Sequence, residues 1–380
     1  MRNFIKLFLG IILALILCFS AGIKSYADDL SAAEELGVNL DGIGDSLSSD
    51  VSEILEENDI TADNIEGISS VSVGDVLGYV VDELISRAKY PLKIFIMLVC
   101  VIILGAAVEG MGSSISDKSL GRVYGIVGVL IAVGIISEPV TECIGTASET
   151  LSSGGSFMIT YIPIFSGITA SSGAVTSAVA YNAMLLVASE AAVQISANYI
   201  MPITSLCMAL GVIEAINPSV NITCITVFVT KAVKFVLGFI MTVFIGLLSI
   251  QSIIGASADT IGVKAAKYLV SNCVPVIGGA VADAYTTLKS SLGILRGGVG
   301  FFGIAAIFLT VVPPLASISL MKLIFATAEM LGEMFDLGGI KTLMKNASSV
   351  MSILLSLIVC FSVMLIISTA VIMMVGLDIS

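Results

Sequence analysis

The chain has 380 residues, 57% of them hydrophobic and 12% charged, with a net charge of −12 and neither His nor Trp. Soluble domains carry about 25% charged residues, so an ordinary soluble fold is excluded. Lack of His removes the usual general base and the commonest metal ligand, which excludes Ser-His-Asp triads and HExxH zinc sites.

Arg2 and Lys6 make a basic start, residues 7–19 an apolar core, and Ser25-Tyr26-Ala27 a small-residue cleavage site. This is the layout of a secretory signal peptide over 1–27, cleaved after Ala27. An uncleaved anchor would send residue 28 onward to the same outer face.

Residues 28–90 change character. They hold sixteen acidic residues against Arg87 and Lys89, a net charge of −14, so the rest of the chain is close to neutral. Val73, Val76, Leu77, Val80, Val81, Leu84 and Ile85 form an apolar stripe at helical spacing. Ser49 or Asp50 could cap a weaker helix before it. The segment reads as a short acidic extracytoplasmic unit with amphipathic helices, either a solvated spacer or a docking face. Its DxD-like runs lack EF-hand spacing.

Residues 91–380 read as a polytopic, all-α membrane domain. Residues 92–111 are long and apolar enough to span a bilayer. Further candidate spans fall near 123–144, 157–172, 174–195, 200–222, 235–256, 300–321 and 350–375. That makes about eight, with seven or nine open, because 157–172 is short, contains Pro163 and could be re-entrant. Lys118 and Arg122 lie in the first cytoplasmic turn, as the positive-inside rule prefers. With eight crossings Lys231, Lys234, Lys322, Lys341 and Lys345 also lie inside, while Lys264, Lys267, Lys289, Arg296 and the three basic residues just before the first span lie outside.

Residues 257–299 interrupt this pattern. They alternate apolar patches with Lys264, Lys267, Asp283, Lys289 and Arg296, and Pro275 and Gly278-Gly279 break helical periodicity. The spacing predicts an in-plane helix followed by a re-entrant or short hairpin, with Lys264, Lys267, Pro275, Gly278 and Gly279 contacting a partner or lipid headgroups.

Glu190 and Glu214 stand in otherwise apolar stretches and are the candidate pore-lining or subunit-seam residues. Gly121, Gly125, Gly128 and Ala132 have the spacing of close helix packing. The seven cysteines sit in apolar context without a CxxC pair, which reads as small buried side chains. No P-loop or Rossmann fingerprint occurs. No cofactor, metal, nucleic acid or catalytic site is expected.

Three stretches carry a family resemblance: Asn198-Tyr199-Ile200-Met201-Pro202, Val263-Lys264-Ala265-Ala266-Lys267 leading to Pro275-Val276-Ile277-Gly278-Gly279 and Ala282-Asp283-Ala284, and Gly293-Ile294-Leu295-Arg296-Gly297. With the signal peptide and polytopic body, the chain resembles the stage III sporulation protein AE family of endospore-forming bacteria. The resemblance implies a multi-pass protein of the outer, mother-cell-derived forespore membrane. It implies a subunit of a channel or secretion-like complex supporting the forespore. The implied partners are the other stage III A proteins, including the AA ATPase, and indirectly the forespore Q protein. A homo-oligomer is open, and the chain is not expected to be an enzyme. The alternative is an autonomous secondary transporter using its intramembrane carboxylates.

Overall fold

The computed structural model describes residues 73–112, 118–217, 222–273 and 278–374. Signal cleavage after Ala27, the acidic segment up to residue 72, and Pro275 lie outside the described residues. Among these residues the chain is helical throughout: α1 Val73–Arg87, α2 Lys89–Gly112, α3 Lys118–Ser171, α4 Val175–Ile195, a π turn Ser196–Ile200, α5 Met201–Ile216, α6 Thr223–Cys273, α7 Gly278–Met334 and α8 Gly338–Met374.

α1 falls on the predicted apolar stripe, and Val80 and Leu84 face the core. It ends at Arg87, and Ala88 forms the turn into α2. Pro91 sits in the first turn of α2, where its missing N–H is one the helix leaves unbonded in any case.

Among the described residues, six helical stretches are long and apolar enough to cross a membrane: Lys89–Val108, Gly125–Ser171, Val175–Ile216, Thr223–Gly262, Leu295–Met334 and Gly338–Met373. Two pairs of expected spans are therefore merged. The stretches 123–144 and 157–172 belong to one helix, α3, which runs through Pro139 and Pro163. The polar residues between them, Gly145 to Ser156, look like a loop but stay helical. Their hydroxyls bond back to the preceding turn: Thr150 Oγ1 donates to the Thr146 carbonyl at 2.6 Å. Near Pro139, Ser137 and Thr141 donate to the carbonyls of Val133 and Ser137. Such local bonds are how membrane helices keep a proline.

The stretches 174–195 and 200–222 are joined by the π turn. Pro202 has no N–H, and its ring would press on the carbonyl four residues back, that of Asn198. A wider turn over Ser196–Ile200, closed by the Met201 N–H on the Ser196 carbonyl, relieves this while the helix continues.

The segment 257–299 is the end of one long helix and the start of another. Residues 257–273 continue α6 without interruption, and Gly278 and Gly279 open α7.

The helices form an antiparallel bundle around α7 and α8, which are buried over 83% and 67% of their most apolar stretches, against 22% for α2 and for α6. Two tight turns define its ends. At the upper end Gly173 takes φ 96° between α3 and α4. At the lower end Asp336 takes φ 57°, and the Leu337 N–H reaches the Gly332 carbonyl at 2.8 Å. Asp tolerates this left-handed backbone better than most residues.

Glycine lets a large ring pack close between α3 and α7. Phe157, Tyr161 and Phe165 stack along α3 with ring centroids 5.2 and 5.3 Å apart. Gly303 on α7 lies against the Tyr161 ring, and the Tyr161 hydroxyl donates to the Val299 carbonyl at 3.1 Å. Gly125 and Gly128 are different: a methyl group added to either meets nothing within 4 Å. Their spacing does not mark a close helix contact among the described residues. The cysteines divide likewise, with Cys143 and Cys207 buried but Cys100 and Cys224 exposed on the bundle surface.

Candidate functional site

Among the described residues, polar side chains meet at several places in this apolar bundle, and three of them bear on the candidate site. At the upper end, the Asp259 carboxylate on α6 accepts the backbone N–H groups of Thr176 at 2.7 Å and Ser177 at 3.0 Å. These are unbonded donors of the first turn of α4, where a negative charge is also favoured by the helix dipole. Ala174, at the usual capping position, supplies no side-chain bond. Close by, Arg296 is 2% exposed and donates to the Met373 carbonyl at 3.2 Å and towards Ser172 Oγ at 3.5 Å. It thus ties the start of the α7 span to the end of α8.

At the lower end, Glu214 is 7% exposed and Thr223 donates to its Oε1 at 2.6 Å. Glu214 Oε2, Thr226 Oγ1 and Asn346 Nδ2 are buried without hydrogen-bond partners. Asn346 of α8 packs against Gly211, one turn before Glu214, with its Cβ 2.7 Å from where a glycine Cβ would stand. Three helices, α5, α6 and α8, therefore bring polar groups to one buried locus.

The third place is on the surface, halfway along the bundle. Glu190, Gln194 and Asn198 are exposed and linked as a ladder: Gln194 Nε2 donates to Glu190 Oε1 at 2.9 Å, and Asn198 Nδ2 to Gln194 Oε1 at 2.8 Å. The π turn begins within this ladder. Glu190 and Glu214 do not share a site. One is exposed and one buried, and the 24 residues between them along α4 and α5 span about 36 Å.

Of the other expected contact residues, Lys264 is exposed near the end of α6. Lys267 is helical, and its side chain lies outside the described residues, as does Pro275. Among the described residues no three carboxylate, thiol or imidazole groups converge on a metal position. Arg296 and Asn198 fall in recognition stretches that assign them no role, and Asp259 and Gln194 carry no local motif. Their signal in the sequence is only a polar group within an apolar run.

The profile of the family described as Stage III sporulation protein AE matches residues 55–376, which takes in every described helix. The chain belongs to the stage III sporulation protein AE family. It is 24% identical over 302 residues to the Stage III sporulation protein AE of Bacillus subtilis (strain 168), covering 79% of this chain and 74% of the relative. No solved structure matches the chain. Membership of the AE family places the chain in sporulation, and its six long apolar helices mark it as a membrane protein. One recognition stretch of the AE resemblance, Asn198 to Pro202, runs from the last three residues of the π turn into the first two of α5.

Proposed function

We propose that the chain is a non-enzymatic, membrane-embedded subunit of a channel or secretion-like complex in the outer forespore membrane. The observation that carries this reading is the family match across the whole helical body. The body offers broad apolar surface and buried polar junctions between helices, which suits a platform for other subunits. The partners would be other stage III A proteins, with the AA ATPase as energy source and the forespore Q protein across the intermembrane space.

In this reading the signal is removed after Ala27, residues 28–90 face the intermembrane side, and each long apolar helix crosses once. Six crossings, like eight, put the C-terminus on the side of residues 28–90. Lys118, Arg122, Lys231, Lys234, Lys322, Lys341 and Lys345 then belong to the cytoplasmic half of the bundle, and Arg87, Lys89, Lys93, Lys264, Lys267, Lys289 and Arg296 to the other half, so the orientation rests on the entry signal. The test is affinity isolation of the tagged chain from sporulating cells. Recovery of the stage III A proteins is expected, and their consistent absence would overturn the reading.

One observation favours the transporter alternative. Glu214 is a buried carboxylate with one oxygen unpartnered, a feature that coupling-ion sites share. Solute movement by the purified chain alone in vesicles would select that reading.

A further inference from the structure

We infer that the Glu190–Gln194–Asn198 ladder is a seam between two copies of this chain. The inference rests on reading Val175–Ile216 as a membrane span and goes beyond it by naming what covers one side of that span.

The argument begins with length. Fifteen residues of this span precede the ladder and eighteen follow it. At 1.5 Å per residue these are about 22 and 27 Å, and neither fills a hydrocarbon layer of about 30 Å. A bilayer placed anywhere within the span therefore reaches the ladder. The flanking residues on the exposed side, Val179, Val187, Leu206 and Ile213, are each more than half exposed and suit lipid. The ladder does not. Its internal bonds use one N–H of each amide and leave the second N–H of Gln194 and of Asn198, together with Asn198 Oδ1, open to a neighbour. Polar groups facing hydrocarbon without partners are strongly disfavoured, so protein covers them.

The occupant that fits is a second copy. Copies inserted by the same route share one orientation, so their ladders stand at the same depth, in register, in any side-by-side arrangement. Amide groups are donors and acceptors at once, so Gln194 and Asn198 of one copy complement the same two residues of the other. A cyclic pair of this kind presents the same patch from both partners. The exposed Tyr199 beside the ladder adds a large side chain to the contact.

The experiment keeps the ladder intact and places cysteines next to it. Ala191→Cys or Ile195→Cys is introduced into the full-length chain with its native cysteines changed to Ser, and two differently tagged copies are produced in one bacterial membrane. Oxidative crosslinking should join the two tags at both positions. It should not do so at Phe239→Cys or Ile253→Cys on the exposed side of α6. Adding Gln194→Leu and Asn198→Leu should lower the crosslinked fraction at least ten-fold while the chain still accumulates in the membrane. Absence of self-crosslinks at 191 and 195 in an accumulating chain overturns the seam. So does free labelling of both positions by a water-soluble maleimide, or crosslinking that the leucine changes leave intact. Recovery of stage III A partners without self-crosslinking would refute the seam and leave the proposed function standing.

Discussion

Asp259 accepts the Thr176 backbone N–H at 2.7 Å across 83 positions of sequence. One helix is thus capped by another, and the α3–α4 turn is pinned to α6. Loss of an N-cap costs about 1 kcal/mol, and a buried charged acceptor raises this to about 1–3 kcal/mol. Asp259→Ala should lower the unfolding midpoint in detergent, and Asp259→Asn, which keeps one carbonyl oxygen, should lower it less. Equal midpoints for wild type and Asp259→Ala would remove the cap from the account.

Two glycines should respond in opposite directions. Gly211→Ala drives a methyl group into Asn346 and should destabilise by about 1–3 kcal/mol, the usual range for overpacking. Gly128→Ala meets open space and should be neutral or stabilising by up to about 1 kcal/mol through helix propensity. Thermal unfolding of the two purified variants decides this. A large loss at Gly128 would show a partner helix there.

At Glu214, size and charge separate cleanly. Glu214→Gln keeps an oxygen for the Thr223 hydroxyl and should change stability by less than about 0.5 kcal/mol, whereas Glu214→Leu strands that hydroxyl at a cost of about 1–3 kcal/mol. Spore yield in the Gln variant reports on the charge itself. A yield near wild type is expected, and a collapse with normal protein level would support ion coupling.

At the other end of the chain, N-terminal sequencing of the mature protein should read Asp28-Asp29-Leu30. A mature chain beginning at Met1 would show that the apolar start is an anchor.

The helical membrane class was legible because apolar runs of 20 residues leave a chain little choice. The merging of spans was not. Residues 145–156 and 196–200 carry the Gly, Ser, Asn and Tyr of a loop, and their helicity depends on hydroxyl back-bonding and on one widened turn. The tight turn at Gly173 is implied by the ends of the expected stretches 157–172 and 174–195, which leave a single residue between them. Asp259 and Arg296 escaped notice as structural residues because their partners lie far away in sequence: Thr176 and Ser177 for one, Ser172 and Met373 for the other. Glu190 and Glu214 were visible as charges in apolar runs, but only the folded bundle shows that one faces outward and the other inward.

The pairing of α7 with α8 has a mechanical consequence. Near the bottom they are held by the turn through Asp336, and near the top by Arg296 on the Met373 carbonyl. Two struts pinned at both ends cannot slide along each other. A push delivered to one end of the pair must arrive at the other about 57 Å away, unless the Pro313–Pro314 step in α7 yields. Any rocking within the subunit must then take place between this fixed pair and the looser helices around it, with α7 and α8 as the stator.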